Sequence, residues 1–228
     1  MSRSVNYEPL SPLHFLERSA YVYPEKTAVI YGDQSYSYAT FKDRVCRMAT
    51  ALKQRGIGKD DKIAFLCPNI PQTLEAHYGV PLLSAVLVTI NIRLSPREIA
   101  YILKDSASKI LFVDTELASS IEPVLDQLKD IEIVNVCDVK KKAFDGPDYE
   151  EFLDVTPETF HFGVDDELQP ITINYTSGTT GWPKGVVYSH RGAYLNALGE
   201  ILEYHIHHRS KYLWTLPMFH CNGWCHTW

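Results

Sequence analysis

Four short apolar runs set the frame of this chain: residues 63–67 (IAFLC), 87–90 (LVTI), 110–113 (ILFV) and 133–136 (IVNV). Their starts are 24, 23 and 23 positions apart, and helical patterns fill the intervals. That rhythm belongs to βαβ units, so it predicts an α/β fold with a mostly parallel sheet flanked by helices. Between the second and third runs, Ser95-Pro96-Arg97-Glu98 reads as a capping box with proline at the first helical position. Leu117, Ile121, Val124 and Leu128 supply the inner stripe of the helix expected next.

Around this frame the chain divides into four parts. Residues 1–58 read as a helix over 10–21, opened by Ser11 as N-cap and Pro12 at N1, and a hairpin of 27–31 and 34–38 turning at Gly32-Asp33. A second helix follows, capped by Thr40, with Phe41, Val45, Met48, Ala49 and Leu52 on one face and Gly56 at its close. The segment 1–58 is expected to pack with the lobe 170–228. Residues 59–138 hold the parallel-sheet lobe, and the polar stretch 139–169 reads as a connection. In 170–228, a helix after Ser189 places Ala193, Ala197, Leu198, Ile201 and Leu202 on one side, and 212–216 reads as a further strand ending at Pro217.

With 228 residues and 45% hydrophobic content the chain buries a real core. A net charge of -6 offers no basic field for nucleic acid. The first nine residues are polar, and the longest apolar run, 79–90, falls short of the roughly 20 residues that span a bilayer, so no membrane span and a cytoplasmic location are expected. Five scattered cysteines, an odd number, suit reduced thiols.

The chemistry concentrates in residues 175–185, Y-T-S-G-T-T-G-W-P-K-G. Glycines let successive backbone N–H groups turn inward as an anion nest, hydroxyls add donors, and a lysine brings a mobile charge. Thr176, Ser177, Gly178, Thr179, Thr180, Gly181 and Lys184 are therefore the candidate phosphate-binding residues. A Walker loop would place lysine directly after its second glycine and open into a helix; here Pro183 precedes Lys184, and apolar runs at 171–175 and 186–188 place the loop between two strands. Two side readings concern metals. Asp165-Asp166-Glu167 could offer carboxylates to magnesium, but reads as an exposed turn before a buried strand. His205, His208, Cys221 and Cys225 approach zinc-finger spacing run backwards, weighed below core and surface roles. No residue is put forward as a metal ligand.

The run T-S-G-T-T-G-x-P-K-G at 176–185 resembles the signature of the acyl-adenylate-forming enzymes, and residues 79–94 and 213–228 resemble their acyl-CoA synthetase branch. The likeness extends from about Leu10 to Trp228. It implies the amino-terminal part of an AMP-forming acyl-CoA synthetase, within the large N-terminal domain of that fold, using ATP, Mg2+, CoA and a carboxylic acid. It also implies that Lys184 and His220 are catalytic, the latter between nucleotide and acyl channel. The family's later motifs have no counterpart in this sequence. Trp224, Trp214 and Phe219 supply apolar walls consistent with an acyl tail. An aromatic edge at Trp224 and Trp228 is expected to drive association into a homo-oligomer.

Overall fold

The computed structural model describes residues 6–138, 141–176 and 181–228. Chain order is α1 (Leu13–Val22), β1 (Thr27–Tyr31), β2 (Gln34–Ser37), α2 (Tyr38–Gln54), β3 (Lys62–Leu66), α3 (Pro71–Gly79), β4 (Val86–Thr89), α4 (Pro96–Asp105), β5 (Ser108–Asp114), β6 (Glu132–Val136), α5 (Tyr149–Phe152), β7 (Pro170–Thr176), β8 (Lys184–Ser189) and α6 (His190–Glu203). β1 and β2 form the hairpin. The other six strands make one sheet in the order β6-β5-β3-β4-β7-β8. Every neighbouring pair in it is parallel except β7–β8, which is antiparallel. The mostly parallel sheet read from the four spaced runs is therefore present, and β7 joins it by pairing with β4.

Strand alternation sends successive side chains to opposite faces, and both faces are covered. On one side Ile63, Phe65, Leu87, Phe112 and Val134 pack with Met48 and Leu52 of α2, Ala76 of α3 and Phe152 of α5. The Phe65 and Phe112 rings stack there with centroids 4.4 Å apart. On the other, Ala64, Leu66, Val88, Leu111 and Val113 meet Ile99, Ile102 and Leu103 of α4, with Ile121 and Val124 beyond. Fully burying each of the larger side chains here, Val, Leu, Ile, Met or Phe, contributes about 1.5–3 kcal/mol. Among these groups, Arg44 Nε reaches the buried Glu75 carboxylate at 2.6 Å and Tyr149 Oη donates to its other oxygen at 2.6 Å, so the charge is neutralised where it is desolvated.

Several local expectations need correction. The capping box at Ser95 and Glu98 forms as read, but α2 starts earlier than Thr40: Ser37 is its cap and accepts from the Thr40 N–H. At α1 the first assigned helical residue is Leu13, after Pro12 in helical φ/ψ, and the Ser11 hydroxyl accepts from the Leu13 N–H at 3.3 Å as an N-cap does; it also meets His190 Nδ1 at 2.9 Å, a tertiary partner outside the local pattern. The stripe is split: Leu117 and Val124 lie on two 3₁₀ segments, Thr115–Ser120 and Glu122–Gln127, with Ile121 between them, Leu128 just after the second, and Pro123 near the second's start. Proline lacks the N–H that a continuous α-helix would need there. Residues 212–216 form no strand. Asn69, just after β3, instead ties this stretch to the ends of the parallel strands: its Nδ2 donates to Leu216 O and its Oδ1 accepts from Met218 N, both at 2.8 Å.

Candidate functional site

β7 and β8 are the two strands expected on either side of the glycine-rich loop. Thr176 closes β7, Lys184 opens β8, and the two are register partners. Both are exposed, as is Gly181, whose φ of +100° lies in the left-handed region that favours glycine. Ser177, Gly178, Thr179 and Thr180 lie outside the described residues. Among the described residues no carboxylate pairs with Lys184. An ammonium and a hydroxyl thus stand side by side at the carboxyl end of β7, the end at which open α/β sheets place ligands.

The far end of the loop is fastened to α4, which the sequence did not reveal. The Trp182 ring stacks on Tyr101 with centroids 4.7 Å apart, and the Arg97 guanidinium lies 4.8 Å from its centroid. Below it, Tyr175 Oη donates to Asp105 at 2.7 Å; burial, then that carboxylate, push the phenol well above its usual range. A tryptophan inside a phosphate-type loop was the available signal, but nothing in the chain order shows that it would meet Tyr101 on the earlier helix α4.

His220 stands at the same edge of the sheet. Thr89, the last residue of β4, has its Oγ1 3.2 Å from Phe219 O, and Thr89 is the register partner of Asn174 on β7. Thr176 lies two residues beyond Asn174, about 7 Å along the strand. His220 is exposed and borders a cleft of about 290 Å³ with Tyr204, Leu216, Pro217, Cys221 and Trp224. A second cleft, about 350 Å³, runs along β8 and α6 past Val187, Tyr188, Asn196 and Trp224. Cys221 and Trp224 line both. Of the expected aromatic walls only Trp224 fills that position. Trp214 lies over Gly223, where a Cβ would fall 2.4 Å from its ring, and Phe219 is half-buried.

The turn after His220 is backbone of a rare kind. Cys221, Asn222, Gly223, Trp224 and Cys225 all have positive φ, from 50° to 65°. Each non-glycine residue held so costs roughly 1–2 kcal/mol, so surrounding contacts must hold the turn.

Residues 16–228 match the AMP-binding enzyme family. This chain belongs to that family. The AMP-binding chain is 43% identical to a peroxisomal butyrate–CoA ligase of Arabidopsis thaliana, over 98% of its own length and 41% of the relative's. It is 44% identical to 4-hydroxybutyrate–CoA ligase 2 of Metallosphaera sedula, over 97% of itself and 42% of that protein. Among solved structures it resembles the O-succinylbenzoate coenzyme A synthetase of Bacillus subtilis in complex with ATP and magnesium ion, with a TM-score of 0.75 and 26% identity over 93% of this chain and 53% of that one. The chain thus spans about two fifths of the length of the curated relatives it matches.

The remaining candidates in this AMP-binding chain have other partners. Glu167 accepts from the Leu10 N–H at 2.7 Å and pairs with Arg191, contacts that hold its carboxyl below the usual range and join the N-terminal segment to α6. Asp165 and Asp166 are exposed, and Asp166 accepts from Leu168 N in the turn before β7. His208 stacks near Tyr23 while Cys225 is buried. Among the described residues no group of three or more His, Cys, Asp or Glu is placed to hold a metal ion. No helix among them is long and apolar enough to cross a membrane. Trp228 is no bare edge: its indole N–H donates to His77 O at 3.0 Å and Tyr78 Oη donates to its carbonyl.

Proposed function

We propose that this chain is the nucleotide-holding part of an AMP-forming acyl-CoA synthetase. In the whole enzyme a monocarboxylate attacks the α-phosphate of ATP, the bond to pyrophosphate breaks, and CoA thiol then displaces AMP from the acyl-adenylate. The observation that carries the reading is the pairing of Thr176 with Lys184 at the carboxyl end of the sheet, in a chain of the AMP-binding family.

The residues fit the task. The Lys184 ammonium stabilises the β- and γ-phosphate charge that grows as pyrophosphate leaves, the Thr176 hydroxyl donates to a phosphate oxygen, and Ser177–Gly181 contribute backbone and hydroxyl donors. Each hydrogen bond to a charged oxygen contributes about 1.5–3 kcal/mol. Catalysis of this kind rests on charge stabilisation and in-line positioning, with groups fixed before reaction. Trp182 on Tyr101 holds the loop's outgoing limb. Mg2+ accompanies the triphosphate and neutralises part of its charge; no side chain of this chain is assigned to it. His220 borders the route of the acyl group, and Trp224 offers that group an apolar wall. A cytoplasmic location is part of this reading, to be checked by cell fractionation.

The test is carboxylate-dependent ATP–pyrophosphate exchange in the polypeptide extended to the length of its relatives. Lys184→Ala should lower exchange at least about a hundredfold, the scale of losing one preorganised charge contact; unchanged exchange rejects the role. A second reading is a nucleotide-binding module that holds the phosphates through the same residues without the ligase reaction. Calorimetry of the 228-residue chain with Mg-ATP, alongside exchange by the same chain, separates the two.

A further inference from the structure

Five consecutive left-handed residues need a reason to stay so, and the structure supplies one in a buried hydrogen-bond relay centred on Asn222. Its side chain is fully buried. The Oδ1 accepts from Thr172 Oγ1 at 2.9 Å and from Asn174 Nδ2 at 2.7 Å, and the Nδ2 lies 3.0 Å from His77 Nε2. His77 Nδ1 lies 2.7 Å from Thr73 O, a carbonyl that only accepts, so Nδ1 carries the ring proton. His77 Nε2 is therefore an acceptor, and Asn222 must donate to it. Thr89 Oγ1 stands 3.0 Å from Asn174 Oδ1. The relay is thus directional from Asn174 through Asn222 to His77 and the α3 backbone, and Thr89 shares its one hydroxyl proton between Asn174 Oδ1 and Phe219 O. Thr227 Oγ1 closes the turn on Asn222 O at 3.2 Å.

We propose that Asn222 is a positioning residue for His220: its amide bolts the left-handed turn to Thr172 and Asn174 of β7 and to His77 of α3, and so sets the direction in which His220, Cys221 and Trp224 face the two clefts. The inference deepens the reading above, since the aim of His220 matters for catalysis only if it borders the acyl route. The residue type is the one the job requires. Asparagine tolerates positive φ better than other non-glycine residues, and its amide offers acceptor and donor together; aspartate lacks the donor, glycine lacks both. His77 belongs to the device as a permanent acceptor, since burial drives its pKa down to about 4 and keeps the ring neutral. The same strand, β7, continues two residues past Asn174 to Thr176, so the relay ties the orientation of His220 to the strand that carries the phosphate-type loop.

The experiment uses the 228-residue chain with 15N-labelled histidine. Long-range 1H–15N spectra should show His77 as the neutral Nδ1–H tautomer at pH 7; the Nε2–H tautomer would overturn the relay. Asn222→Ala should shift the His220 ring signals and raise labelling of Cys221 by maleimide several-fold, read peptide by peptide by mass spectrometry, while His205 and His208 signals stay in place. Asn222→Asp, which keeps Oδ1 and the left-handed preference, should return the labelling rate toward that of the parent and raise the His77 pKa. A folded Asn222→Ala chain with unchanged His220 signals and Cys221 labelling rejects the proposal. Should Asn222→Ala not fold, Thr172→Val decides, since it removes one donor at nearly constant volume: a smaller shift of His220 is expected, and none rejects the role. None of these readouts involves nucleotide, so Lys184→Ala should leave them untouched and the two readings fail separately.

Discussion

Thr176 and Lys184 face each other across the β7–β8 ladder, which sets the two ends of the glycine-rich loop at one strand spacing. The spacing depends on close approach one step further in, at Gly185. A Cβ there would fall 2.9 Å from Ile173 Cγ2 and 3.3 Å from the Tyr175 ring. Both neighbours are held, Ile173 against the core and Tyr175 by Asp105.

Gly185→Ala should therefore push β8 away from β7 and destabilise the chain by about 1–3 kcal/mol, the usual cost of overpacking. Urea denaturation measures the first effect. If the loop binds triphosphate, calorimetry with Mg-ATP should register weaker binding in the same variant. A variant as stable as the parent would show that β8 approaches β7 less closely than described.

Stability should fall with acid in a defined window. His77 and His190 are both fully buried, and desolvation lowers each pKa from 6.5 to about 4. Between those values the unfolded chain binds protons that the folded chain refuses, so stability is full above about pH 6.5 and lost as the pH drops toward 4. Each histidine should contribute a slope of up to about 1.4 kcal/mol per pH unit. Asp61 and Glu167, whose carboxyls are held below their usual range by hydrogen bonds and cations, lose their contribution only at lower pH. Urea titrations from pH 7.5 to about 4 should show this fall, and His190→Gln should flatten it by about half. A flat profile over that interval would mean that both rings gain protons in the folded state.

Self-association is expected on the face that carries Val186, Val187 and Trp224, which are 42%, 56% and 58% exposed. β8 is the edge strand of the sheet, and an apolar edge invites pairing. Sedimentation of the 228-residue chain should show a dimer or larger species. Val187→Lys with Trp224→Ser should shift it toward monomer, and a parent chain already monomeric at high concentration removes the expectation.

The parallel sheet was legible in the sequence because each strand is buried on both faces, so its apolar run stands out from the helices that separate it. The capping box at Ser95 and Glu98 was legible because its partners are three residues apart. The failures share the opposite property. Residues 212–216 have a strand's composition, yet their end is tied down by Asn69, far away in sequence, which donates to Leu216 O and accepts from Met218 N. Leu117 to Leu128 have a helix's periodicity, yet Pro123 keeps them from forming one continuous α-helix.

The sequence alone determined the sheet, the positions of the two strands around Thr176 and Lys184, and the family, since all of these are written in residue types at short, regular spacing. Only the tertiary structure decided where His220 points and what anchors the loop. Those depend on Asn222 meeting His77 at 145 positions' separation and on Trp182 meeting Tyr101. Contacts of that range come from how helices seat on a twisted sheet, which local propensity does not encode.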